Sequence, residues 1–323
     1  MRAIVQDVYG SADALRLREI DRPRVRDGRA LIRVRAAGVD RSVWHFMTGQ
    51  PYLVRAAGAG LRRPKHPVRG SELAGVVEEV GKDVTALRPG DEVMGTCVGS
   101  FAEYALARKD RLARKPANLS FEQAAAVPIS GCTALQALRD AGRVRAGQQV
   151  LVIGASGGVG TFAVQLAKAF GAQVTGVCRT DAMELVRSLG ADHVVDYTRE
   201  AITGGDRRYD LILDGAGNRP LPLQRRVLTP RGTVVFVGGE DGGRWTGGMG
   251  RPLRGFATSL VSQQKARMFI ATARDKDLQA LTRMIDAGTV TPVIDRTYPL
   301  EQAADALRHL GHGHPRGKLV LTV

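Results

Sequence analysis

Hydrophobic positions change their period about a third of the way along the chain. Up to about residue 120, apolar residues alternate with polar ones or gather in short runs. These runs are AIVQDV, LRLREI, ALIRVRAAGV, ELAGVVEEVG, DEVMGT and AEYALA. Gly, Pro or charged residues bound each of them, which predicts short strands joined by turns in a mostly antiparallel β domain. One interruption, VDRSVWHFMTG, has helical spacing and a stop at Gly49. The stretch after it, PYLVRAAGAGLRRPK, is rich in Gly, Ala and Arg and reads as a loop crossing a cleft.

From Phe121 the spacing becomes helical and then alternates. FEQAAAVP and SGCTALQALRDAG predict helices, the second with Ser130 as its cap. QVLVIG, QVTGVC, HVVDY, YDLILDGAG and GTVVFVGG predict strands. The helices GVGTFAVQLAKAFG, DAMELVRSLG and RPLPLQRRVLT fall among them. Strands that alternate with helices imply a parallel sheet with right-handed crossovers. The segment GGEDGGRWTGGMGR has no clear period. Two amphipathic helices, DLQALTRMIDAG and LEQAADALRHLG, precede a closing strand, GKLVLTV.

Composition narrows the classes. A chain of 323 residues suits two domains or one large one, and 44% hydrophobic with 24% charged residues is ordinary for a globular protein. No apolar run reaches transmembrane length, and MRAIVQDVYG enters a strand without a signal-peptide layout, so a soluble cytoplasmic protein is expected. Cys97, Cys132 and Cys178 are scattered and fit reduced thiols, not a disulfide framework or a zinc knuckle. The net charge is +15, with 39 arginines against eight lysines, dispersed without a long block. Dispersion fits a compositional bias better than a polyanion groove, so neither nucleic acid nor membrane is an expected partner. Single arginines remain available for a phosphate-bearing ligand.

The candidate chemistry starts at Ala155-Ser156-Gly157-Gly158-Val159-Gly160, a variant of G-x-G-x-x-G that follows a strand and opens a helix. In that context backbone amides and the helix N-terminus face a pyrophosphate, Gly157 lets the backbone approach, and Gly160 lets helix and strand pack closely. An enzyme that uses NAD places an acidic residue about 20 residues further on, at the ribose 2′-hydroxyl. This chain has Cys178-Arg179-Thr180 there, and its first carboxylate is Asp181. A guanidinium can fork onto a 2′-phosphate and a hydroxyl can donate to it, so NADPH is the expected cofactor.

VLVIGASGGVGTFAVQLAKAFGAQV, GSELAGVVEEVGKDVTALRPGDEVMG, GCTAL, LGADHVVDY and GKLVLTV together resemble the medium-chain dehydrogenase/reductase superfamily. Within it the chain resembles the zinc-independent quinone oxidoreductase branch, nearly end to end. The resemblance implies an α/β protein with two domains. One is a mostly β GroES-like catalytic domain (residues 1–122 and 290–323), and the other a Rossmann NADP-binding domain with a parallel sheet (residues 123–289). It also implies an active site in the cleft and a homodimer, often formed by joining Rossmann sheets edge to edge. Zinc-using members carry cysteine where this chain has Asp40, and Gly-His-Glu where it has Gly70-Ser71-Glu72. Two carboxylates without His or Cys make a poor zinc site, so no metal is expected.

The branch usually carries asparagine at the Asp40 position. An ionised Asp40 can only accept hydrogen bonds. It is either protonated in a dry cleft, or it orients a water or the ribose hydroxyls. Donors to the charge that develops on the substrate oxygen are Tyr52, Ser71, Thr133, Trp44 and His45. Tyr52 comes first because family members face the substrate from the loop that holds it. The catalytic candidates are therefore Tyr52, Asp40, Thr133 and Ser71. Cofactor contacts carried over from the motifs are Thr133 near the nicotinamide and Ser156, Gly157, Gly158 and Val159 at the pyrophosphate. Arg179 and Tyr197 fall at the adenosine phosphate. Asp214 and Val237, Gly238 and Gly239 line the nicotinamide ribose and ring, and Lys318 reaches back towards the cofactor. The leading expectation is an oxidoreductase that reduces quinones or α,β-unsaturated carbonyl compounds with NADPH. Alternatives are a zinc-independent alcohol dehydrogenase or aldehyde reductase, and a non-catalytic NADPH-binding protein with nucleic-acid affinity.

Overall fold

The alternating apolar positions of the first third fold into long antiparallel strands that wrap on themselves. The computed structural model describes residues 1–202, 205–217, 219–238, 243–248, 250 and 262–323. Internal packing divides the chain into two units, Met1–Cys132 with Thr272–Val323, and Thr133–Ala271.

In the first unit, β1 (Arg2–Val5) and β2 (Arg16–Glu19) form a two-stranded antiparallel sheet. Strands β3 (Arg29–Val39), β4 (Glu72–Val80), β5 (Glu92–Cys97) and β6 (Tyr104–Arg114) run antiparallel in that order. β6 pairs again with the first half of β3, so this part of the sheet closes. The core inside it includes Ile32, Val34, Leu73, Val77, Val93 and Phe101. Helix α1 (Arg41–Thr48) starts where Asp40 accepts from the Ser42 amide at 2.7 Å, and it ends at Gly49 with φ 62°. The segment expected to be a loop forms a short helix, α2 (Tyr52–Val54). A widened turn over Arg55–Ala59 follows, in which the Gly60 amide donates to the Arg55 carbonyl at 3.3 Å. Its run of small residues tolerates that geometry, and Gly58 breaks it at φ 118°.

The second unit is a six-stranded parallel sheet. Its strands are β7 (Gln149–Ile153), β8 (Gln173–Cys178), β9 (His193–Asp196), β10 (Tyr209–Asp214), β11 (Leu228–Phe236) and β12 (Lys265–Met268). The spatial order β12-β11-β10-β7-β8-β9 reverses direction between β7 and β10, the doubly wound arrangement. Counting α3 (Phe121–Ala125) and α4 (Pro128–Gln136), the next helix is α5 (Gly158–Ala169), which joins β7 to β8. It buries Phe162, Ala163, Val164, Leu166 and Ala167, as its apolar spacing requires.

The first unit is completed after Thr272. A helix over Asp275–Asp286 packs on β6, and β13 (Ile294–Pro299) pairs in parallel with β14 (Lys318–Thr322). β14 then runs antiparallel to the second half of β3. Another helix, Ala303–His312, passes so close to Trp44 that a Cβ on Gly311 would collide with the indole.

Some expectations need correction. Ser130 does not cap a helix. It lies inside α4, because Pro128 needs no amide partner in the first turn and starts the helix earlier. The helix expected over RPLPLQRRVLT contracts to α7 (Leu221–Arg226), after α6 (Met183–Ser188), because Leu228 already pairs with Tyr209 in the sheet. The strands β12 and β13 had not been expected. Both are sheet-edge segments in which charged residues (Lys265 and Arg267, Asp295 and Arg296) interrupt the apolar alternation. No helix among the described residues is long and apolar enough to cross a membrane. Phe162 has no solvent exposure. Phe162→Ala should therefore cost about 3–5 kcal/mol, measured as a lower denaturation midpoint.

Candidate functional site

The glycine segment does what its chemistry requires. Gly154 leaves β7 at φ 82°, and the amides of Gly154 and Ala155 donate to the Val177 carbonyl of β8 at 3.1 and 3.0 Å. Gly157 is the N-cap of α5, and its amide donates to the Gly154 carbonyl at 3.1 Å. A Cβ on Gly160 would collide with the Gly154 carbonyl, so only glycine lets the helix start this close to the strand. The loop brings Ser156, Gly157, Gly158 and Val159 together at the first turn. Helix amides there lack intrahelical acceptors, and no acidic side chain occupies the turn.

Two neighbouring loops meet the same end of the sheet. The Gly215 amide donates to the Ile153 carbonyl at 3.0 Å. The amides of Val237 and Gly238 donate to the Asp214 carbonyl at 3.0 and 3.3 Å. A Cβ on Gly238 would collide with Gly215. Asp214 is wholly buried. One carboxylate oxygen accepts from the Gly217 amide at 2.9 Å and the other from Gln224 Nε2 at 2.6 Å, so Asp214 shapes its loop. Gln224 was not anticipated, and its sequence signal is faint: one amide within an arginine-rich helix. Gly239 lies outside the described residues.

At the ends of β8 and β9, Cys178 pairs with Asp196, and the Tyr197 amide donates to the Cys178 carbonyl at 3.1 Å. Arg179 and Tyr197 therefore leave adjacent strands side by side. Arg179 Nε stands 3.4 Å from Asp181 Oδ1, with both side chains about half exposed, and such surface pairs are weak. Thr180 departs from its expected role, since its hydroxyl donates to the buried Asp196 carboxylate and not outward. Hydrogen bonds from Thr180 and Thr198 hold the Asp196 carboxyl below the usual range. The structure adds Arg219, whose guanidinium carbon lies 5.4 Å from the Tyr197 ring centroid. Its signal in the sequence was an arginine just past a glycine-rich strand end, read instead as the start of a helix.

A second cluster belongs to the first unit. Gly38 pairs with Glu72 on β4 and with Val320 on β14, and a Cβ at Gly38 would collide with the Glu72 carboxylate and the Ala125 carbonyl. Glu72 is fully buried. Its Oε2 accepts from the Ile129 amide at 2.8 Å, and its Oε1 meets the ammonium of Lys318, itself 3% exposed. Burial pushes the Glu72 carboxyl up and the Lys318 charge pulls it down. Asp40 pushes it up again, and hydrogen bonds from Lys318 and Ile129 lower it. Asp40 is also buried. Its Oδ1 accepts from the Ser42 amide and hydroxyl, while its Oδ2 has no partner among the described residues. Ser42 Oγ lies 3.4 Å from Ser71 Oγ. The structure thus gathers Asp40, Ser71 and Lys318 around Glu72.

Of the other candidates, Tyr52 opens α2 and lies 4.7 Å, ring centroid to guanidinium carbon, from Arg55. Thr133 belongs to the second unit. His45 Nδ1 lies 2.8 Å from the Gln50 carbonyl, which ties the ring to its own helix end.

Comparison with known proteins follows this geometry. The alcohol dehydrogenase GroES-like domain matches residues 26–117, and a zinc-binding dehydrogenase model matches residues 189–321. The chain is 34% identical to mouse quinone oxidoreductase over 99% of its own length and 97% of the relative's. It is 34% identical to the Arabidopsis thaliana chloroplastic NADPH-dependent alkenal/one oxidoreductase, over 99% of its own length and 79% of that protein. The solved quinone oxidoreductase of Coxiella burnetii superposes with a TM-score of 0.88 at 28% identity, covering 100% of this chain and 99% of that one. The chain belongs to the medium-chain dehydrogenase/reductase superfamily, in its quinone oxidoreductase-like branch. It is an oxidoreductase.

One family description names zinc, and the residues here do not fit that ion. The ammonium of Lys318 already sits on Glu72, Ser71 offers a neutral hydroxyl, and one Asp40 oxygen is committed to α1. Among the described residues no group of three or more His, Cys, Asp or Glu side chains is arranged to hold a metal.

Removing one partner of the buried pair isolates the other charge. Lys318→Met should cost about 3–5 kcal/mol in chemical denaturation, and Lys318→Met with Glu72→Gln should recover most of it. A carboxyl with a raised folded-state pKa holds its proton more tightly folded than unfolded. The single variant should therefore be most stable in acid and lose stability as pH rises above the ordinary glutamate range.

Proposed function

We propose that this enzyme uses NADPH to reduce a quinone or an α,β-unsaturated carbonyl compound, without a metal. The observation that carries the cofactor choice is Arg179 beside Tyr197 at the end of β8, where an acidic residue would serve NADH. Arg219 on Tyr197 brings a second positive charge to the same corner. Both guanidinium groups suit a 2′-phosphate, and the Arg179–Asp181 contact is weak enough to exchange for one.

NADPH, when bound, supplies a hydride, which together with one proton converts an enone to the saturated carbonyl compound or a quinone to the quinol. The chain's part is to bind and orient. The first-turn amides of α5 with Ser156, Gly157, Gly158 and Val159 would hold the pyrophosphate. Asp214, through Gly217, and the close approach of Gly215 and Gly238 keep the adjoining loops open for the nicotinamide half. Thr133, with Val237, belongs to that half in this reading. Tyr52 would donate its phenolic hydrogen to the substrate oxygen as charge develops there, with Ser71 as a further hydroxyl. Asp40 and Lys318 act on Glu72 and α1, as positioning residues.

A homodimer belongs to this reading. β12 ends the parallel sheet among the described residues, and Met268 and Ile270 beside it are 47% and 90% exposed. A second copy adding at that edge would pair the strand and cover both side chains.

Steady-state oxidation of NADPH and NADH with an enone or quinone acceptor tests the cofactor. The wild type should prefer NADPH, and Arg179→Glu should cut that preference by about ten- to a hundredfold. A wild-type preference for NADH would overturn the reading. Tyr52→Phe should lower kcat by about a hundredfold and leave NADPH affinity, measured by fluorescence titration, within about twofold.

A further inference from the structure

Between Asp40 and Glu72 the chain carries six basic side chains and no acidic one. This segment includes Tyr52. Among its cations Arg55, Arg62, Arg63, Lys65 and Arg69 have no carboxylate partner among the described residues. Elsewhere in the molecule several exposed guanidinium groups do find an acid, as Arg2 does with Glu103 and Glu301, and Arg108 with Asp110.

Two of these cations are built into the fold. Arg55 lies between two phenol rings, 4.3 Å from the Tyr9 centroid and 4.7 Å from that of Tyr52, and its Nε donates to the Gly49 carbonyl at 2.9 Å. Its terminal nitrogens have no acceptor among the described residues. Arg69 is 6% exposed, yet its partners among the described residues are all carbonyls: Nη1 donates to Phe46 at 3.1 Å and Nε to Pro67 at 3.4 Å. No hydrogen-bond partner of its Nη2 lies among the described residues. Both cations act on the phenol of Tyr9, whose hydroxyl donates to the Gly60 carbonyl at 2.6 Å and so ties the widened turn down.

Burying a guanidinium without a counter-ion costs free energy, and here burial pulls Arg69 below its ordinary value. A fold keeps such an arrangement cheaply only if an anion completes it. Guanidinium groups fixed by stacking and by carbonyls, with terminal N–H groups free, form a preorganised receptor for an oxyanion.

We propose that Arg55 and Arg69, set against Tyr9 and Tyr52, form an anion-binding site, and that the enone or quinone reduced by this enzyme carries a carboxylate or phosphate that docks there. The proposal rests on the reading of Tyr52 as the donor to the substrate oxygen. It adds that the anion lies close to the reducible group, because Arg55 touches the Tyr52 ring. Arg62, Arg63 and Lys65 on the following loop supply long-range attraction to the same ligand.

Paired substrates test this. kcat/KM is measured for 4-oxopent-2-enoate and for its methyl ester, with NADPH saturating. The anion should exceed the ester by about ten- to a hundredfold, and inorganic phosphate should compete with the anion only. Arg55→Gln should bring the anion-to-ester ratio to within about twofold of one, while Arg55→Lys keeps part of it because the charge remains. Raised salt should lower the ratio in the wild type. Equal kcat/KM for the two substrates, or a ratio that survives Arg55→Gln, would overturn the proposal, as would phosphate binding without any preference for the anionic substrate.

If neither compound is reduced, the reductase reading falls separately. The site is then judged by calorimetric titration of 4-oxopent-2-enoate into the wild type and into Arg55→Gln. Binding that only the wild type shows supports the site, and absence of binding to both overturns it.

Discussion

One buried ion pair ties the first unit together. Glu72 and Lys318 are 246 positions apart in sequence and belong to strands on either side of β3. Neither could be held in the interior alone, since the cost of dehydrating an isolated charge is several kcal/mol. Gly38 makes the contact possible, because any side chain there would fill the space of the carboxylate. The pair, the glycine and the Ile129 amide thus fix the closing strand β14, the middle of the sheet and the start of α4 relative to one another. Asp40 and Ser71 flank this pair, and both are tied to Ser42 at the start of α1.

Much of the second unit was legible in the sequence. Apolar runs with helices between them implied a parallel sheet, and Gly160 marked a close approach of helix and strand that the structure contains. That legibility comes from local physics, since a glycine collision and a helix period depend on near neighbours. What could not be read depended on partners far along the chain. Thr180 has a hydroxyl that could have faced outward, but Asp196, sixteen residues later, takes its hydrogen. Lys318 could be placed in a closing motif, although nothing near it in sequence says that its partner is Glu72. The edge strands β12 and β13 carry charged residues within their short spans, so their pairing is decided by the neighbouring strand and not by their own pattern.

Net charge is a poor guide to where charge acts. The overall excess of +15 is spread along the chain, yet its arrangement differs from place to place. At Arg108 and Arg308 the guanidinium groups face carboxylates on the surface, where solvent screens them. At Arg55 and Arg69 they are fixed among rings and carbonyls, with no acid opposite among the described residues. The same residue type thus serves solubility in one setting and carries directed electric potential in another.

The first unit is written in two pieces, with all of Thr133–Ala271 between them. This has a consequence for synthesis on the ribosome, where the chain emerges in order. The parallel sheet is complete in sequence once Met268 has appeared, so its strands can pair while the tail is still being made. The antiparallel sheet has to wait. Until β14 arrives, the second half of β3 has an open edge where that strand will pair, and Glu72 has no cation. During that interval the nascent protein exposes an unsatisfied strand edge, and its vulnerability to misassembly ends only when β14 has been translated.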